Sequence, residues 1–155
     1  MNKIKFLLVM VFAAFMACDS EEVFDEQEQL AIDRQLITEY LADNNITAEQ
    51  IGETGIYYAI SQSGTGDNAE FASSVYADYR GYLLDGTEFD SGTIDFVVGA
   101  GSVIQGWELG FQELNKGASA TLFIPSKYGY GSSRQGTTIP ANSVLLFDVT
   151  VVDIR

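Results

Sequence analysis

The stretch "GAGSVIQGWELGFQEL", residues 99–114, decides the fold. It holds the only Trp of the chain, Trp107, directly after a Gly and where a short helix is expected to begin, near Gln105. The largest side chain at the first turn of a helix has two readings, a packing anchor or the floor of a binding pocket. On both sides of this stretch the hydrophobic period is that of strands. Upstream, "GIYYAI" (55–60) reads as a strand and "SQSGTGDN" as a turn. "SSVYADYRGYLL" (73–84) alternates, with Val75, Ala77 and Tyr79 on one face and Tyr76 and Asp78 on the other. "DG" at 85–86 is a hairpin signal, "TEFD" starts the return strand, and "TIDFVVG" (93–99) reads as another strand. Downstream, "ASATLFIP" (118–125) and "NSVLLFDVTVVDI" (142–154) are the last two. Strands joined by short loops around one helix predict an antiparallel α+β domain, with no internal repeat.

Composition narrows the chemistry. The 155 residues include ten Phe, eight Tyr and one Trp, enough apolar surface for a real core. The formal charge of −14 repels phosphates, so no nucleic-acid partner is expected. With no His there is no imidazole base and no His-based triad or metal site. The single Cys excludes an internal disulfide and Cys-rich zinc sites, so neither metal nor cofactor is expected.

The N-terminus reads as a targeting segment. A basic "MNKIK" precedes the twelve-residue apolar run "FLLVMVFAAFMA", too short to span a bilayer as a mature helix, and Cys18 follows at once. "FMAC" is similar to a bacterial lipobox, which implies cleavage before Cys18 and its lipidation; Phe15 stands where Leu is usual. Cleavage there removes Lys3 and Lys5 and deepens the formal charge from −14 to −16. The acidic "DSEEVFDEQEQ" (19–29) reads as a solvated tether, and also resembles the export signal of some surface lipoproteins. Residues 28–43 read as a helix with Leu30, Ile37 and Leu41 along one stripe, stopped by "DNN" at 43–45. "TAEQ" at 47–50 matches a capping box and is expected to start one more turn. The expected organisation is thus a signal peptide (1–17), a tether (18–27), a helical extension (28–52) and one further domain (53–155).

Four segments, "YRGYLLDGTEFDS", "VIQGWELGFQEL", "GASATLFIPSKYGYG" and "IPANSVLLFDVTVVDI", occur in one order and at the right separations. Together they resemble the FKBP family of peptidyl-prolyl cis–trans isomerases from about Gly55 to Ile154. The resemblance implies a curved antiparallel sheet of five to six strands wrapped around a short helix, here preceded by the helical extension. It also implies the site. Trp107 resembles the pocket floor on which a proline ring rests. Tyr79 matches a wall Tyr, Phe89 an aromatic wall, and Asp90 a carboxylate that hydrogen-bonds to that Tyr. Val103 and Ile104 precede the Trp, and the Ile104 N–H matches a donor to a substrate carbonyl. Tyr130 matches a Tyr whose hydroxyl reaches substrate, and Ile139 and Phe147 match the far walls. Taken singly, each apolar residue reads equally well as core, and Asp90 as a turn residue.

Departures from the family pattern bear on affinity more than on the reaction. The loop after "FDSG" is short, the pocket-rim Arg that pairs with the Asp has no counterpart, and Ile94 replaces an aromatic wall residue. Ser102 stands where Glu is common, Thr138 where an aliphatic residue is common, and "SSRQGTT" makes a polar loop over the pocket. The resemblance therefore implies an envelope-anchored isomerase acting on proline-containing polypeptides, binding FKBP-type macrolides with reduced affinity. A non-catalytic FKBP-like peptide-binding module, and a lipoprotein whose helix 28–43 is the working surface, are the alternatives.

Overall fold

The computed structural model describes residues 25–155; the expected signal peptide, Cys18 and most of the tether lie outside the described residues. In chain order the elements are α1 (Glu26–Asp43), β1 (Glu49–Gln50), β2 (Tyr57–Gln62), β3 (Thr65–Asn68), β4 (Ser74–Leu83) and β5 (Glu88–Val97). There follow α2 (Gln105–Gly110), a 3-10 turn (Phe111–Glu113), β6 (Asn115–Lys116), β7 (Ser119–Ile124), a 3-10 turn (Ser126–Tyr128) and β8 (Leu145–Ile154). Six strands form one antiparallel sheet in the order β1-β2-β7-β8-β4-β5, and β3 pairs with β6 beside it. This is the α+β sheet-around-a-helix expected from the sequence.

Strand alternation assigns the two faces. Along β8, Leu145, Phe147, Val149 and Val151 join β4 Val75 and Ala77 and β7 Ala120, Leu122 and Ile124 in one cluster. Trp107 and Phe111, from α2 and the turn after it, fill the same cluster, so α2 lies on this face. The opposite face carries Phe123 and Leu146, covered by Ile37 and Leu41 of α1. The sheet is therefore sandwiched between two helices. The residues of the expected extension supply α1 over one face and the edge strand β1.

Four local expectations change. The helix starts at Glu26, because Asp25 Oδ1 accepts the Gln27 N–H at 2.8 Å and caps it, while Glu26 and Glu28 favour the positive helix end. "TAEQ" starts no helical turn: Glu49 and Gln50 pair with Tyr58 and Tyr57, and the Tyr58 hydroxyl donates to Glu49 Oε2 at 2.9 Å. The segments "TEFD" and "TIDFVVG" are one strand, since Ser91 and Gly92 keep the ladder opposite Arg80 and Tyr79. Part of "SQSGTGDN" is β3 rather than turn.

Candidate active site

Helix α2 begins where the sequence predicts, and its entry explains how Trp107 is aimed. Ile104 is extended (φ −60°, ψ 148°), and its carbonyl accepts the Trp107 N–H at 2.9 Å. The preceding loop turns on Gly99 and Gly101, with φ of +84° and +69°, a region open to glycine. Glu108 fixes that loop: its carboxylate accepts the N–H of Gly99 and, at 2.9 Å, that of Gly101. Sequence reading missed Glu108, because an acid in a first helical turn ordinarily means only a favourable dipole position.

Trp107 is 4% exposed and meets four rings. Tyr79 and Phe147 stand edge-on to it, each with a centroid separation of 5.1 Å, at 74° and 84°. Phe111 at 5.4 Å and Phe96 at 5.9 Å complete the set. Edge-to-face aromatic packing is favourable and holds each ring in one orientation. Phe89 extends the wall by standing edge-on to Phe147 at 5.5 Å. Gly81 makes room for that pair: a Cβ there would lie 2.5 Å from the Phe89 ring and 2.7 Å from the Phe147 ring.

These residues enclose a cavity of about 390 Å³ that opens to solvent. Its lining includes Tyr79, Phe89, Asp90, Ile94, Val103, Ile104, Trp107, Tyr130 and Phe147, nine of the ten pocket positions expected from the sequence. Ile139 is the exception. It is buried in the core cluster and held by two backbone hydrogen bonds with Gln135 (3.0 and 3.2 Å), which tie the polar loop into a tight turn. Gly101 and Ser102 also line the cavity and were not among the expected wall residues.

The polar groups are few. The Tyr79 hydroxyl donates to Asp90 Oδ2 at 2.8 Å, and Asp90 Oδ1 accepts the Ser91 N–H at 2.9 Å. No basic side chain pairs with Asp90 among the described residues, in keeping with the missing rim Arg. Ile104 lines the cavity, and its N–H has no protein acceptor among the described residues. Burial pushes the Tyr79 phenol up, and its hydrogen bond to Asp90 adds to this; burial and then the Asp90 charge do the same for Tyr130. Both hydroxyls therefore stay protonated donors through neutral pH. No group of three or more His, Cys, Asp or Glu among the described residues is arranged to hold a metal ion.

The raised phenols carry a stability consequence. Tyr58 is pushed up to about 12 by burial and the Glu49 hydrogen bond, and Tyr82 is pushed further by burial and Asp148. Above about pH 10 the unfolded chain releases these protons first, so the folded state binds more of them and loses stability as pH rises. Urea midpoints are expected to be level from pH 7 to 9 and to fall from about pH 10 upward. A midpoint that rises over that alkaline range contradicts the assignment.

The chain is similar to known proteins. The family model for FKBP-type peptidyl-prolyl cis-trans isomerase matches residues 66–152. The chain is 40% identical over 125 residues to the FKBP-type peptidyl-prolyl cis-trans isomerase FkpA of Aeromonas hydrophila, covering 76% of this chain and 45% of that one. It is 35% identical over 98 residues to an FK506-binding protein of Neisseria meningitidis serogroup B, covering 60% of this chain and 90% of the relative. A solved peptidyl-prolyl cis-trans isomerase from Pseudomonas syringae pv. tomato superposes with a TM-score of 0.70 at 26% identity, covering 85% of this chain and 97% of that one. The chain spans only 42–45% of the length of three of the curated relatives it matches. With the aromatic cavity, the helix that floors it and the family model in agreement, this chain belongs to the FKBP-type peptidyl-prolyl cis-trans isomerase family.

Proposed function

We propose that the protein catalyses rotation about X–Pro peptide bonds in exported or envelope polypeptides while anchored to a bacterial membrane through lipidated Cys18. The observation that carries the catalytic part is the Trp107-floored aromatic cavity, lined also by Ile104, whose N–H has no acceptor among the described residues. The barrier to rotation, about 18–20 kcal/mol, comes from amide resonance. Both isomers of an X–Pro bond are populated, so their exchange limits folding steps. The planar amide is charge-separated, and the twisted transition state has lost that separation. An apolar cavity disfavours the planar form more than the twisted one, which is differential binding of the transition state. The proline ring rests on Trp107 between Tyr79, Phe89 and Phe147 while the acyl side turns. A substrate carbonyl outside the rotating amide is offered the Ile104 N–H and the Tyr130 hydroxyl; a donor on the rotating carbonyl would strengthen the resonance that must be lost. No proton leaves and no nucleophile attacks, so a chain without His can do this chemistry.

Support for the anchor is the position of the lone Cys directly after the apolar run. No helix among the described residues is long and apolar enough to cross a membrane. FKBP-type macrolides are proposed to bind weakly, because Ile94 stands where an aromatic wall is usual and Asp90 has no basic partner among the described residues. The bare Asp90 also favours a second reading, a module that holds a proline segment without turning it.

One experiment separates the two readings. NMR exchange of a short Leu-Pro peptide, with no coupling protease, is expected to accelerate in the presence of the full chain. Peptide binding without acceleration rejects the enzyme in favour of the binding module. Asp90 orients Tyr79 and abstracts nothing, so Asp90→Leu is expected to slow the reaction about tenfold, or about 1.4 kcal/mol. Complete inactivity of a folded Asp90→Leu variant contradicts an orienting role.

A further inference from the structure

Helix α1 buries four side chains: Leu30, Asp33, Ile37 and Leu41. Three are apolar; the fourth is a carboxylate on the same stripe, 0% exposed. A buried carboxylate is costly unless hydrogen bonds replace its water, and an apolar residue there would pack without that cost. Asp33 is fully engaged. Its Oδ2 accepts the Ser126 N–H at 2.7 Å and the Ser126 hydroxyl at 2.6 Å, and Oδ1 accepts the Gln29 side-chain amide at 2.8 Å. Ser126 is itself 1% exposed, so Asp33 is what satisfies both of its donors.

The next links lead to the cavity. The Ser126 carbonyl accepts the N–H of Gly129 at 2.9 Å and that of Gly131 at 2.8 Å. Tyr130 stands between these two glycines and lines the cavity while 37% exposed. A Tyr flanked by glycines has little local backbone preference to fix its direction. The Tyr130 carbonyl also accepts the Ser133 N–H at 3.2 Å and the Gly131 carbonyl the Asn142 N–H at 2.8 Å, but the two bonds to Ser126 are the ones that tie this segment to the chain before it, and Ser126 is tied to Asp33.

We propose that Asp33 is a positioning residue for the proline site, acting from the second helix layer through Ser126 on the Gly129–Gly131 segment that presents Tyr130. Helix α1 is then a working part of the site. The kinetic consequence rests on the isomerase reading, whereas the structural one does not.

The test uses the full chain with Asp33→Ala, Asp33→Asn and Ser126→Ala, each alone and combined with Tyr130→Phe. In the Leu-Pro exchange assay, Tyr130→Phe alone is expected to lower kcat/KM about tenfold. On the Asp33→Ala background it is expected to cost less than about twofold, because the hydroxyl is already displaced. Asp33→Asn, which keeps one acceptor for Ser126, is expected to recover part of the loss. Losses that simply multiply would mean a generic stability effect and overturn the proposal. Amide hydrogen exchange supplies a readout free of catalysis. Asp33→Ala is expected to speed exchange at Gly129 and Gly131 at least tenfold while the β4 and β8 amides stay protected. Unchanged protection at Gly131 overturns the proposal even if the wild type proves inactive. If Asp33→Ala does not fold, the same two readouts on Asp33→Asn and Ser126→Ala decide, with smaller effects in the same direction.

Discussion

Trp107→Ala is expected to reduce the acceleration of X–Pro exchange about a hundredfold, or about 2.7 kcal/mol of transition-state stabilisation. The ring is both the floor of the cavity and the meeting point of Tyr79, Phe96, Phe111 and Phe147. Its removal opens the floor and frees two walls at once. The same packing makes the substitution costly to the fold, by about 3–5 kcal/mol. Activity and stability must therefore be separated, and Trp107→Phe does so. The Trp107 Nε1 has no hydrogen-bond partner among the described residues, so Phe forfeits ring area and no hydrogen bond. Trp107→Phe is expected to cost about 2 kcal/mol of stability, less than the Ala change because a phenyl ring still fills most of the site, and about tenfold in rate. Urea denaturation run beside NMR exchange checks both. A folded Trp107→Ala protein that accelerates exchange like the wild type would make the ring a core anchor and remove this cavity from the reaction.

The dual role of Trp107 shows why the sequence read as well as it did. Alternation in residues 73–84 places Val75, Ala77 and Tyr79 on the inward face, where β4 packs against the core cluster. The cavity walls were legible through motif resemblance and not through periodicity. Tyr79 follows Val75 and Ala77 on the inward face, and nothing in the alternation marks it as pocket rather than core. Ile139 lies outside the cavity lining and is buried in the core cluster. Its position matches a wall, but the two hydrogen bonds with Gln135 close the loop and turn its side chain into the core. Asp33 could have been found: the spacing of Leu30, Ile37 and Leu41 puts position 33 on the buried stripe, and a charge there requires a partner. That partner, Ser126, lies ninety-three residues away, beyond anything a local pattern reaches.

Gly106→Val is expected to destabilise the protein by about 3 kcal/mol, at the upper end for overpacked cores, and to depress activity with it. Gly106 and Gly110 lie four apart on α2 and face Ile124 and Leu122, two apart on the inward side of β7. A helical step of four thus meets a strand step of two, and the absent side chains let the Trp-bearing helix lie close on the sheet. A Cβ at Gly106 would meet Ile124 Cγ2 at 2.4 Å and Cδ1 at 2.7 Å. Ile124 is fully buried and branched at Cβ, so it has little freedom to give way. The contest with helix propensity is therefore settled against the larger residue. Even Gly106→Ala, which gains about 1 kcal/mol in an exposed helix, is expected to lose stability here. Displacing α2 also shifts Ile104 and Trp107, the residues on either side of Gln105 and Gly106, so donor and floor leave their places together. The decisive check is a suppressor: Ile124→Ala added to Gly106→Ala is expected to cost less than Ile124→Ala alone, because the new methyl fills space the isoleucine vacates. Costs that add in full would mean that α2 does not owe its seat on the sheet to this glycine.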